Sequence, residues 1–146
     1  MSRVYLIAAD QSLPLCNIQE KCTRVMKLSE NFRNPALRGQ ERVISGTNQF
    51  HIQEHVYYRD AVNALELERK PYQYALEVEE DEWGVEKLTT YLKENLKPGE
   101  QVELWSLWVG YDIIPPARYA GKLDDFALDT LHQFLYAESI CLTITI

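Results

Sequence analysis

Apolar positions change period several times along the chain, and each period predicts an element. Val4-Tyr5-Leu6-Ile7-Ala8-Ala9 is a continuous run between Arg3 and Asp10. A short, β-prone, two-sided run predicts a buried strand. From Phe50 to Tyr58 the pattern alternates: Phe50, Ile52, Glu54, Val56 and Tyr58 share one side, and His51, Gln53, His55 and Tyr57 the other. Period two predicts a strand with one wetter face. Tyr72, Tyr74, Leu76 and Val78 alternate again and predict a strand over 72–79. Val85, Leu88, Leu92 and Leu96 then recur at helical spacing, with Tyr91 beside them, and predict a helix over 84–97. Glu80, Asp81, Glu82 and Glu86 crowd its start, where negative charge suits the helix dipole. Pro98-Gly99 stops it.

Residues 101–109 are apolar on both sides, with Leu104 and Trp108 opposed to Trp105 and Leu107, as in a central strand. Residues 110–122 form an irregular connection carrying Gly110, Pro115, Pro116 and Gly121. Leu123, Phe126, Ala127, Leu131, Phe134 and Leu135 predict a second amphipathic helix. Ile140, Leu142, Ile144 and Ile146 alternate with Cys141, Thr143 and Thr145 in a last strand. Asp60 to Arg69 reads as a short helix. Residues 10–48 are the least legible: Val25, Met26 and Leu28 anchor a strand or short helix, and Arg42 to Ser45 open a hairpin through Gly46-Thr47-Asn48.

The C-terminal half therefore reads β-α-β-α-β, and its first part is a natural right-handed crossover unit. The expected fold is α+β: a single domain over residues 1–146, with one mixed β-sheet packed by two main amphipathic helices on one face.

Charge alters the picture more than composition does. The chain has 146 residues with 15 Lys/Arg and 22 Asp/Glu, net −7. Residues 1–70 carry ten basic and eight acidic groups, net +2, and residues 71–146 carry five and fourteen, net −9. A negative chain is repelled by phosphate backbones, which disfavours nucleic acid as a partner. The exception is 21–42, where Lys21, Arg24, Lys27, Arg33, Arg38 and Arg42 meet only Glu30 and Glu41. Phe32 alone stands there for base stacking, so a solvated basic face is the simpler reading.

The three cysteines, Cys16, Cys22 and Cys141, are odd in number and lack CxxC spacing, which argues against a secreted disulfide framework. Six apolar residues from Val4 to Ala9 are short for a signal peptide, and no run reaches the roughly 20 apolar residues of a membrane span. These features read as a cytoplasmic protein with reduced thiols and no membrane partner.

No Walker loop, GxGxxG, GxSxG or HExxH occurs, so no catalytic residue, cofactor or metal ligand is assigned. His51 and His55 share a strand face about 13 Å apart at roughly 3.3 Å per residue, too far to bind one ion together. They read as half-exposed strand histidines. Asp125, Asp129 and His132 form an i, i+4, i+7 stripe that can hold a divalent ion or orient a base, and a solvated helix face has the same spacing. Cys141 reads as a small buried hydrophobe.

Two features point to a partner. Glu77, Glu79, Glu80, Asp81 and Glu82 place five carboxylates in six residues, complementary to a basic protein. The connection 110–122 carries Tyr111, Ile113, Ile114, Arg118 and Tyr119, residue types common at binding hot spots, stiffened by two prolines. The leading expectation is a non-enzymatic acidic protein-binding module. An inhibitor or immunity-type protein that neutralises a basic toxin or nuclease fits that description. The alternatives are a small enzyme or small-molecule-binding domain with a pocket near 110–122, and a structural subunit that homo-oligomerises through the edge of the last strand.

Overall fold

A computed structural model describes residues 2–27, 29–31, 33–110, 115–136 and 139–146, apart from the side chains of Ser2, Arg24, Met26 and Arg42. Tyr111, Ile113 and Ile114 lie outside the described residues, as do Leu28 and Phe32.

Among the described residues, seven strands form one mixed sheet: β1 (Ser2–Ala9), β2 (Cys16–Lys27), β3 (Glu41–Glu54), β4 (Tyr72–Val78), β5 (Gln101–Val109), β6 (Ala117–Lys122) and β7 (Ile140–Thr145). Their order is β2-β3-β4-β1-β5-β7-β6. Among the described residues, only β6 and β7 pair in parallel. The described residues also include helices α1 (Arg59–Asn63), α2 (Glu82–Asn95) and α3 (Leu128–Tyr136). The fold is α+β. Among the described residues, no helix is long and apolar enough to cross a membrane.

The apolar run Val4–Ala9 becomes the central strand because both of its faces find cover. Val4, Leu6 and Ala8 join Trp105, Leu107, Val109 and Cys141 on one side of the sheet. Ile7 and Ala9 join Phe50, Ile52, Val102, Leu104 and Leu142 on the other. The second group is the larger core. Leu88, Leu92 and Leu96 reach it from α2 and its C-terminal cap, and Leu131, Phe134 and Leu135 from α3. The helices are not confined to one face. Val62 of α1, with Ala61, Leu65 and Leu67, covers the opposite side. A strand pattern that is apolar on both sides, as in β1 and β5, requires such two-sided cover.

β4 and β5 are both antiparallel to β1 and lie on either side of it. The β4-α2-β5 crossover therefore spans an intervening strand. The last helix is shorter than its pattern suggests. Leu123–Asp125 is a separate 3-10 turn, and α3 starts only at Leu128.

Three expectations fail where side chains are exposed on both faces. Residues 117–122 form β6, not an irregular loop, and all six are exposed. No alternation marks that strand, because its pairing with β7 is carried by the backbone alone. Gly46 lies within β3 opposite Cys22 and does not turn a hairpin. β2 and β3 instead run as one long antiparallel ribbon to whose outer part no described strand adds, with Val25 and Val43 opposite each other at 64% and 69% exposure. Finally, β3 ends at Glu54, leaving Val56 and Tyr57 exposed, and α1 spans 59–63 where a helix over 60–69 is expected.

Candidate functional site

The acidic run sits where β4 leaves the sheet and α2 begins. Most of its carboxylates serve the fold. Asp81 is the N-cap of α2, and its side chain accepts the Gly84 N–H at 2.9 Å. Glu79 Oε1 accepts the backbone N–H of Gln49 at 3.0 Å, fastening β3 to the end of β4. Glu80 Oε1 lies 2.9 Å from His132 Nδ1, and Glu80 Oε2 accepts the Tyr136 hydroxyl. Glu77 lies across from His51, whose Nδ1 is 3.4 Å from Glu77 Oε2. Glu77 and Glu82 are the exposed members, and Glu79, Glu80 and Asp81 are half-buried.

Gly84 explains the sharpness of this corner. A methyl group there would stand 1.8 Å from the Glu79 carbonyl oxygen. Only glycine lets the first turn of α2 lie against the end of β4.

The other candidate residues sit at the far edge of the sheet. Arg118 pairs with Cys141 across β6–β7, and its guanidinium lies 5.0 Å from the Trp105 ring centroid. Tyr119 pairs with Leu142 and is 57% exposed. It lines a shallow groove of about 190 Å³ with Phe126, Gln133, Leu142 and Ile144. Asp124, Asp125 and Asp129 are exposed close by in sequence, with Asp124 Oδ1 3.8 Å from Lys93 Nζ.

These two clusters do not form one surface patch. β4 and β6 are four strand positions apart, about 19 Å at roughly 4.8 Å per neighbour. α3 stands between them, giving His132 and Tyr136 to Glu80 and Thr130 and Gln133 to the Tyr119 groove. The Asp125, Asp129, His132 stripe is likewise divided. Asp125 belongs to the 3-10 turn and lines the groove, and His132 is committed to Glu80. No group of three or more His, Cys, Asp or Glu suited to a metal ion occurs among the described residues.

The two strand histidines are more enclosed than their alternation implies. The His51 side chain is 11% exposed and His55 is buried just beyond β3. All three cysteines are free. Cys22 Sγ is 3.5 Å from Asn48 Oδ1. Burial pushes the Cys16 thiol up, with Glu94 acting in the same direction. Cys141 is fully buried, consistent with a packing role.

Sequence reasoning missed β6 as a strand and so missed the sheet edge beside Tyr119. The available signal was the order of segments, since 117–122, the helix and 140–145 form a β-α-β unit with adjacent parallel strands. The chain matches no protein-family model, no curated protein and no solved structure.

Proposed function

We propose that this chain is a non-enzymatic binding module, of the inhibitor or immunity type, that docks a basic protein. The observation that carries the reading is the exposed edge strand β6. It ends the sheet, all six of its residues are exposed, and no described strand pairs with its outer side. An edge of this kind offers a row of backbone donors and acceptors to an extended segment of a partner. Arg118 and Lys122 on the strand discourage pairing with a second copy of the same edge. Asp124, Asp125 and Asp129 follow at once and favour a positively charged partner. The net charge of −9 over residues 71–146 adds long-range steering.

Homo-oligomerisation through the last strand is less supported, because β7 lies inside the sheet between β5 and β6. A small-molecule site near 110–122 is also less supported. The described groove there, about 190 Å³, is smaller than the roughly 300 Å³ at which ligand pockets usually begin.

The test is an affinity capture from native extract at low salt, followed by a salt step, with Tyr119→Ala and Asp124→Asn/Asp125→Asn/Asp129→Asn baits beside the unaltered protein. A basic protein retained by the unaltered bait, released by salt and lost from both variants supports the module. Equal retention by all three baits removes β6 and its carboxylates from the interface.

A further inference from the structure

A second recess lies on the α1 side of the sheet, away from β6. It encloses about 390 Å³, and its lining includes Glu54, His55, Arg59, Asn63, Tyr72 and Gln73. Its chemistry is unlike that of the rest of this acidic chain. His55 is 8% exposed, and its Nε2 is buried without a hydrogen-bond partner. A buried polar atom left unpaired costs free energy unless a ligand or water meets it.

Behind the lining stands Arg69. Its guanidinium donates to Gln73 Oε1 at 2.7 Å and to Asn63 Oδ1 at 2.8 Å, and its Nε to the Leu67 carbonyl at 3.4 Å. All three acceptors are neutral. Among the described residues, neither Arg69 nor Arg59 has a carboxylate within ion-pair distance. Glu103 is the carboxylate that acts on Arg69 electrostatically. Its Oε1 is occupied by the Lys70 N–H at 2.8 Å and by the Trp105 indole N–H at 3.3 Å. The direct partners of Arg69 are thus neutral, and Glu103 offsets its charge only from beyond ion-pair distance.

The same field acts on His55. Burial holds its pKa below the usual imidazole range, and Arg69 and then Arg59 push it further down. The recess is therefore a locally positive place with an idle imidazole at its wall. Glu54 also lines it and opposes this sign; it is exposed and solvated, as Arg59 is, so the less screened charge near the ring is that of half-buried Arg69.

We propose that this recess binds a small oxyanion, the phosphate or carboxylate group of a ligand, between Arg59 and His55, with Arg69 supplying the fixed positive field. Asn63 has its oxygen turned to Arg69, which leaves its amide N–H group as a further donor on the lining, whereas the Gln73 amide is taken up by Arg69 and by the Lys70 carbonyl at 3.1 Å. The anion would balance the arginines and allow His55 to carry a proton.

The experiment is a titration of the full chain with inorganic phosphate, and separately with acetate, followed by the imidazole resonances of His55. Saturable binding that raises the His55 pKa, and that weakens about tenfold in Arg59→Gln, supports the site, since one charge-assisted hydrogen bond is worth about that factor. Arg59 is exposed, so this variant keeps its fold, and unchanged amide resonances outside 54–73 verify that. Whichever probe binds more tightly identifies the oxyanion class. No saturable response to either probe at ~10 mM overturns the proposal. A phosphate or acetate response in the amide resonances of 54–73 that persists undiminished in both Arg59→Gln and His55→Gln also overturns it.

Discussion

Glu80 Oε1 stands 2.9 Å from His132 Nδ1 and ties the segment that opens α2 to the outward side of α3. The same carboxylate accepts the Tyr136 hydroxyl one helical turn further on, and the two rings stack with centroids 5.8 Å apart. One acidic side chain thus fixes where two helices meet above the sheet. The imidazole is about half exposed, so water competes for the contact. Exposed pairs of this kind contribute ~0.2–1 kcal/mol. Glu80→Gln and His132→Ala should each lower stability within that range. In a double-mutant cycle by urea denaturation, their coupling should be of similar size. Strictly additive effects would mean that the pair holds no energy.

The corner between β4 and α2 should be far less forgiving. Asp81→Ala removes the cap on Gly84 N–H and should cost about 1 kcal/mol, with Asp81→Asn largely restoring it. Gly84→Ala should cost more, at or above the upper end of the ~1–3 kcal/mol typical of overpacking, because the added methyl meets the Glu79 backbone, which cannot yield. Thermal unfolding of the three variants checks the ranking. A Gly84→Ala protein as stable as the parent would mean that this turn has another conformation.

The parts of the fold that were legible in the sequence are those whose burial is regular, one-sided in α2 and two-sided in β1. Leu88 and Leu92 announce α2 because helical spacing puts both against the sheet. Val4–Ala9 announces a central strand because every position is buried or nearly so. β6 was hidden for the opposite reason, since Ala117–Lys122 buries nothing and its pairing is written only in backbone hydrogen bonds. The β2–β3 ribbon is hidden likewise, with Val25 and Val43 exposed and polar residues around them. The acidic run shows a limit of another kind. Its charge density is plain, yet Glu79 belongs to a backbone N–H on β3 and Glu80 to a histidine on α3. No local spacing encodes partners so distant in the chain.

Cys141 and the other two thiols should separate cleanly in reactivity. Cys16 and Cys22 are partly exposed on β2. Cys141 is fully buried, and burial, with Glu103 acting in the same sense, pushes its thiol from about 9 up to about 11. In native protein at neutral pH, a thiolate-selective reagent should modify Cys22 and Cys16 first and reach Cys141 only on unfolding. The same burial couples to stability. The unfolded chain loses its Cys141 proton from about pH 9, and the folded chain only near pH 11. Stability is therefore intact below about pH 9 and falls across that interval, by on the order of 2–3 kcal/mol from this residue. Cys141→Ala should unfold with a flatter alkaline limb than the parent. Identical alkaline limbs would show that this thiol does not report burial.

His55 should act at the other end of the pH scale. Burial, Arg69 and Arg59 all hold its folded pKa below that of an unfolded histidine, which is about 6.5. Above that value both states are neutral at this residue, and His55 imposes no penalty. As pH falls below about 6.5 the unfolded chain takes up the proton first, so stability drops progressively until the folded imidazole is protonated too. Replacing His55 with Gln keeps a polar side chain of similar reach and removes the titration. Denaturant midpoints of parent and His55→Gln should run parallel above about pH 7. Below it they should diverge, with the parent losing stability faster. The charged groups around the ring set the size of that divergence, so Arg59→Gln in the parent background should reduce it by removing one of the two cations that disfavour the imidazolium. A parent and a His55→Gln protein that weaken equally on acidification would place the acid-sensitive group elsewhere in the chain.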